Sequence, residues 1–208
     1  MTPALGALRR ISRDRPAARV PGEHCDLCAQ PVREEHGHVV HLEGRALMCA
    51  CRPCYLLFAG DADQRYRAVP DRYLRFPDVS ADGPAFDALD IPVGLAFLFQ
   101  NSVQGRLVAF YPSPAGATES ELPLEAWDGV LAAHPELATL RPDVEALLVR
   151  RAAPGAAHEG SCHLVPIDVC YELVGTLRRG WRGFDGGSEA RAAIAEFFAT
   201  VEQRSVDG

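Results

Sequence analysis

Residues 25–58, CDLCAQPVREEHGHVVHLEGRALMCACRPCYLLF, hold five of the chain's seven cysteines. Cys25-Asp-Leu-Cys28 and Cys51-Arg-Pro-Cys54 are two C-x2-C pairs separated by 22 residues. Each pair is a tight turn that presents two thiolates to one metal, and a hairpin between them folds the second pair onto the first. The hairpin is legible: His38 to Leu42 and Arg45 to Cys49 flank a Glu43-Gly44 turn. Cys54 then opens an apolar helical run, Tyr55-Leu56-Leu57-Phe58.

Knuckle, hairpin and a helix started by the second pair is the order of a treble-clef finger, with a ribbon as the related form. The expected occupant is a structural zinc ion in a module too small to hold a core of its own. Iron is the rival. Ala29 and Tyr55 stand where rubredoxin-type knuckles carry glycine, which argues against mononuclear iron. Cys49 is a fifth thiol in the dense run Cys49-Ala-Cys51-Arg-Pro-Cys54, so an iron–sulfur cluster stays open, although ferredoxin spacings do not match. Cys49 is thus a ligand, a neighbouring thiol, or an alternate for Cys51.

His24, His36, His38 and His41 also fall in this module. A histidine-rich hairpin between two cysteine pairs invites an HNH-nuclease reading. That enzyme needs a hydrolytic metal and a basic track for DNA. The chain's only asparagine, Asn101, lies outside the module, and residues 21–60 are acidic on balance. His36 and His38 are therefore expected on a solvated strand face, with His41 or His24 as lesser candidate ligands.

Over 208 residues the chain is 48% hydrophobic and 24% charged, the profile of a globular protein. Its longest apolar stretch, Ile91 to Phe99, is broken by Pro92 and is far short of the roughly 20 residues of a membrane span. All 21 basic residues are arginine. Five of them, Arg9, Arg10, Arg13, Arg15 and Arg19, face only Asp14 in residues 1–20, so a net charge of −7 divides into +4 on this arm and −11 on the rest. An acidic body disfavours nucleic acid as a partner. The twin arginine has no apolar segment behind it, as an export signal requires. With an odd cysteine count, this points to a reduced, cytoplasmic setting rather than a disulfide framework.

The fold class expected is α+β, in four regions: a disordered basic arm (1–20), the cysteine module (21–60), an irregular connection (61–92) and an α+β domain (93–204). The connection is broken by Pro70, Pro77, Pro84 and Pro92, and its aromatics Tyr66, Tyr73, Phe76 and Phe86 read as anchors of a strap. Strands are expected at Gly94–Gln100, Arg106–Tyr111, Val144–Arg151 and Cys162–Ile167, giving a mainly antiparallel sheet. Pro112–Pro123 reads as a long loop. Helices are expected after Pro123, after an Asp168 N-cap and after a Ser188 cap.

No Gly-rich phosphate loop, nucleophile elbow or HExxH occurs, so no catalytic residue is assigned. Cys162 and His163 are strand neighbours that point to opposite faces, and Cys170 reads as a small core residue. The loop at 112–120 and the segment Arg178 to Gly187 read as recognition surfaces. In the second, Trp181, Arg182 and Phe184 are the candidate contacts for a protein partner.

The cysteine module, Tyr111–Ser120 (YPSPAGATES), Pro142–Arg151 (PDVEALLVRR) and Leu164–Gly187 (LVPIDVCYELVG through WRGFDGG) together resemble an actinobacterial family with a domain of unknown function. The resemblance runs from the first C-x2-C to the last helix. Genes of that family tend to stand beside those of uptake nickel–iron hydrogenases, so the resemblance implies an accessory or maturation role, by association rather than mechanism. Cys25, Cys28, Cys51 and Cys54, with Cys49, match its cysteine pattern. The expectation is a non-enzymatic, metal-binding accessory protein; the alternative is a redox or metal-delivery protein that uses all five cysteines.

Overall fold

Leu95–Phe99 is apolar at every position, without the alternation of a half-solvated strand, and such a run must be buried on both faces. In the computed structural model it lies in β5 (Leu95–Asn101). Leu95, Phe97 and Phe99 enter one hydrophobic cluster, while Ala96 and Leu98 enter another on the opposite face. The structure describes residues 23–60, 65–89, 94–113, 116–121, 124–152, 160–180 and 187–208. The basic arm at 1–20 and the candidate contacts Trp181, Arg182 and Phe184 lie outside these residues.

Around β5 pair β6 (Arg106–Ser113) on one side and β8 (Glu145–Arg150) on the other, both antiparallel. β7 (Gly116–Glu121) closes one edge against β6. On the far side β9 (Ser161–Pro166), β4 (Leu74–Arg75) and β10 (Val206–Asp207) complete a seven-stranded sheet, in which only the β10–β4 pair is parallel. A second sheet of three strands has β1 (Gly37–His41) between β2 (Ala46–Ala50) and β3 (Tyr66–Ala68). The fold is therefore mixed α+β with a mainly antiparallel large sheet, as the strand pattern requires.

The first face of the large sheet is covered by the strap and by the helix after Pro123. Phe76, Phe86 and Leu89 pack there with Trp127 and Val130 of α3 (Leu124–Ala133) and with Leu137 of the 3-10 turn Pro135–Thr139. The cysteine module ends in α1 (Arg52–Leu57), and the strap is partly regular: besides β3 and β4 it contains the short α2 (Pro84–Asp87). Of its aromatic anchors, Tyr73, Phe76 and Phe86 are buried and Tyr66 is half-buried. The second face is covered by α4 (Ile167–Gly180) and α5 (Gly187–Arg204). Cys170, Leu173 and Leu177 of α4 meet Phe198 and Val201 of α5 there, and Val40 and Leu47 of the small sheet pack against the same cluster. The hairpin between the cysteine pairs is thus held beside the start of α4.

Three local expectations change. Residues 116–121, expected in a loop, form an edge strand whose backbone pairs with β6 from Val108 to Ser113. An edge strand needs only one hydrogen-bonded side and no apolar face, so its polar sequence concealed it. Asp168 is not an N-cap, because α4 begins at Ile167. Its Oδ1 accepts from the Val169 amide at 2.9 Å and its Oδ2 turns to His38. Ser188 likewise lies inside α5, which begins at Gly187 with φ of +72°. Among the described residues no helix is long and apolar enough to cross a membrane.

Candidate metal centre

The first cysteine pair sits in a turn closed by its own backbone. The amide of Ala29 donates to the Cys25 carbonyl at 2.8 Å, and that of Cys25 to the Gln30 carbonyl at 2.8 Å. Ala29 adopts φ of +61°, the left-handed conformation that glycine takes at such turns. The knuckle therefore forms without glycine, and Ala29 is no argument against iron. Asp26 fixes the knuckle to β2: its amide donates to the Cys49 carbonyl at 2.9 Å, and its Oδ2 accepts from the Cys49 amide at 2.7 Å.

The second pair opens α1. Cys51 is the N-cap in extended conformation, Pro53 occupies the first turn where no amide partner is needed, and Cys54 follows on that turn. The Tyr55 amide donates to the Cys51 carbonyl at 2.9 Å. Gly37, at the start of β1, is required by this packing, since a Cβ there would stand 2.5 Å from the Tyr55 ring.

Knuckle and helix start converge. The sulfurs of Cys25, Cys28, Cys51 and Cys54 all lie within 4.8 Å of one another, with Cys28 and Cys51 at 3.6 Å. Sulfur–metal bonds of about 2.3 Å in a tetrahedron set sulfur–sulfur edges of roughly 3.8 Å, so the four residues can hold one metal ion with little movement. The set is that of a zinc-finger-like module. Burial opposes ionisation of Cys25, but amides of Cys51, Leu27 and Cys28 directed at its sulfur win, and its thiol is held down to about 6. Hydrogen bonds with Cys28 and then Cys51 push Cys54 up to about 12. Four thiols this close do not all ionise until a cation compensates them.

Cys49 stands outside this set. It is directly opposite His38 in the β1–β2 register, and its ligand atom lies within 4.8 Å of those of His36 and His38. Burial, then the charges of Asp26 and Glu23, push its thiol up. His36 and His38 are not on a solvated face: the His36 side chain is 8% exposed and that of His38 24%. Both line a cleft of about 1300 Å³ between the cysteine module and the large domain, together with Cys51, Tyr55, Asp168 and Arg204. His41, at the other end of β1, packs its ring at a tilt against Tyr66 instead.

The downstream cysteines are core residues on opposite faces of the large sheet, Cys162 in one cluster and Cys170 in the other, both raised by burial. His163 turns away from Cys162 to meet Glu202 at 2.8 Å and Phe198. No catalytic pair forms there.

Sequence reasoning missed Asp26, Asp168 and the grouping of His36, His38 and Cys49. The last was within reach: counting outward from the Glu43-Gly44 turn pairs His38 with Cys49, and His36 shares the face of His38. Asp168 was not, because its contact with His38 spans 130 residues.

A four-cysteine module ahead of a two-faced α+β domain defines the class. The chain belongs to the family of unknown function DUF5947, whose model matches residues 24–205. No curated protein and no solved structure matches the chain significantly.

Proposed function

We propose that this protein is a non-enzymatic, zinc-binding accessory protein of the cytoplasm that acts through protein contacts in the assembly or maturation of a nickel–iron hydrogenase. The observation that carries the metal half is the convergence of four sulfurs within 4.8 Å on a knuckle and a helix start. Zinc suits a closed, four-thiolate, redox-silent site that folds a module with little core of its own. The hydrogenase half is supported by the resemblance drawn from the sequence, with Trp181, Arg182 and Phe184 as the expected contacts and no role for nucleic acid or membrane. An iron–sulfur or electron-transfer protein using all five cysteines draws less support, because Cys49 groups with two imidazoles rather than with the four sulfurs.

Two experiments test this reading. Cys51→Ser removes one of the four thiolates and should release the metal and unfold the knuckle and hairpin, whereas Cys49→Ser should leave that metal bound. Co-purification with hydrogenase subunits under mild lysis, lost on Trp181→Ala, is the expected partner result. Repeated absence of those subunits contradicts the accessory role.

A further inference from the structure

We propose that His36, His38 and Cys49 form a second metal site, a two-imidazole, one-thiolate set for a borderline divalent cation such as zinc, with its fourth position open. One ligand atom from each residue lies within 4.8 Å of the other two, and the set shares no residue with the four-cysteine centre.

Hydrogen bonding fixes how the two rings present themselves. His36 donates through Nδ1 to the Arg33 carbonyl at 2.8 Å, and Glu34 offers a second carbonyl at 3.2 Å. His38 donates through Nδ1 to Asp168 Oδ2 at 2.7 Å. In the neutral tautomer that makes these hydrogen bonds, each ring carries its lone pair on Nε2. This is the arrangement found around metal-bound histidines, whose second nitrogen is held by a carbonyl or a carboxylate. His36 Nε2 is moreover buried with no hydrogen-bond partner, on a side chain only 8% exposed. An acceptor buried without a donor is costly, and a cation supplies what it lacks.

The donor set selects the ion. Imidazole and thiolate favour zinc and its neighbours over magnesium or calcium, which take oxygen ligands. Besides Asp168, two further carboxylates stand close by: Asp26 Oδ2 is 2.7 Å from the Cys49 amide, and Glu23 Oε2 is 3.7 Å from His36 Nδ1. They add negative charge beside a dication. Among the described residues no fourth donor joins the three. Three-ligand sites of this kind keep a position for water or an incoming donor. His36 and His38 also line the cleft, whereas Cys49 does not. The second site should thus be weaker and more exchangeable than the four-thiolate centre. It stands on its own geometry and not on the hydrogenase assignment.

The test is an anaerobic cobalt titration of the full chain carrying one equivalent of zinc. The expected result is uptake of one cobalt with tetrahedral visible bands and a single-thiolate charge-transfer band. His36→Asn and Cys49→Ser should each abolish that uptake, and Asp168→Asn should weaken it about 10- to 100-fold. Each variant is first loaded with cobalt alone, so that an unchanged four-thiolate spectrum certifies its folding. A second equivalent that fails to bind the wild type, or that binds both variants as before, overturns the proposal. Should a variant lose the four-thiolate spectrum too, histidine NMR of the wild type decides: the second equivalent must shift the imidazole signals of His36 and His38, and unmoved signals overturn the site. A missing four-thiolate spectrum in the wild type would instead refute the first centre, whatever the second does.

Discussion

His38, on the central strand of the small sheet, hydrogen-bonds through Nδ1 to Asp168 on the first turn of α4 at 2.7 Å. This contact, beside the apolar packing of Val40 and Leu47, joins the hairpin between the cysteine pairs to the helix that covers the large sheet. Both side chains are about three-quarters buried, at 24% and 23% exposure. Removing the carboxylate leaves the ring without its acceptor, at a cost of about 1–3 kcal/mol. Asp168→Ala should therefore lower the denaturant midpoint with no added metal, and an unchanged midpoint would show that the hairpin is held by its other contacts, the apolar packing of Val40 and Leu47 and the Arg45–Glu119 pair.

Arg72, on the strap, makes a two-pronged ion pair with Glu145 of β8, at 2.7 Å through Nε and 2.6 Å through Nη2. Glu145 is fully buried, and its Oε2 also accepts from the Arg141 amide at 2.8 Å. Arg72→Ala leaves a buried carboxylate without its cation and should cost about 3–5 kcal/mol. Arg45→Ala, which breaks the more exposed pair with Glu119, should cost less than about 1 kcal/mol. Urea unfolding of both variants checks the contrast.

Ala29 holds a left-handed backbone at φ of +61° where the knuckle turns. A side chain there costs roughly 1–2 kcal/mol, part of which glycine returns as unfolded-state entropy. Ala29→Gly should raise the stability of the knuckle by about 0.5–1 kcal/mol, read as slower metal release to a chelator. A faster release would show that the turn is not strained.

Glu202 is held below the usual carboxylate value of 4.5, first by its hydrogen bond with His163 and then by Arg75. A lowered folded-state value stabilises the protein above pH of about 4.5 and loses that contribution as pH falls through the lowered value. Glu202→Gln should therefore flatten the acid limb of the stability–pH curve below that point. The same loss of stability with acid in wild type and variant would assign the limb to other groups.

These contacts mark where the sequence was transparent and where it was opaque. The apolar run in β5 announced a strand, and the two C-x2-C pairs announced four convergent thiolates, because each signal is carried by neighbours in the chain. The strap's aromatics announced burial in the same way. What stayed hidden depends on partners distant in sequence: Asp168 reads as a helix cap until His38 is placed beside it, and nothing near Glu145 in the chain marks the burial that Arg72 compensates. The edge strand β7 was hidden for a different reason, since backbone pairing alone holds it and leaves no mark on composition. His36 and His38 were misplaced on a solvated face because alternation shows that two side chains share a face but not what covers it.

The central claim is that Cys25, Cys28, Cys51 and Cys54 hold one structural zinc ion. X-ray absorption at the zinc edge, on anaerobically purified protein carrying one metal equivalent, tests it most directly. The account predicts a colourless protein whose zinc has four sulfur neighbours at about 2.3 Å. A brown protein containing iron, or zinc with a mixed nitrogen and sulfur shell at that first equivalent, would contradict it.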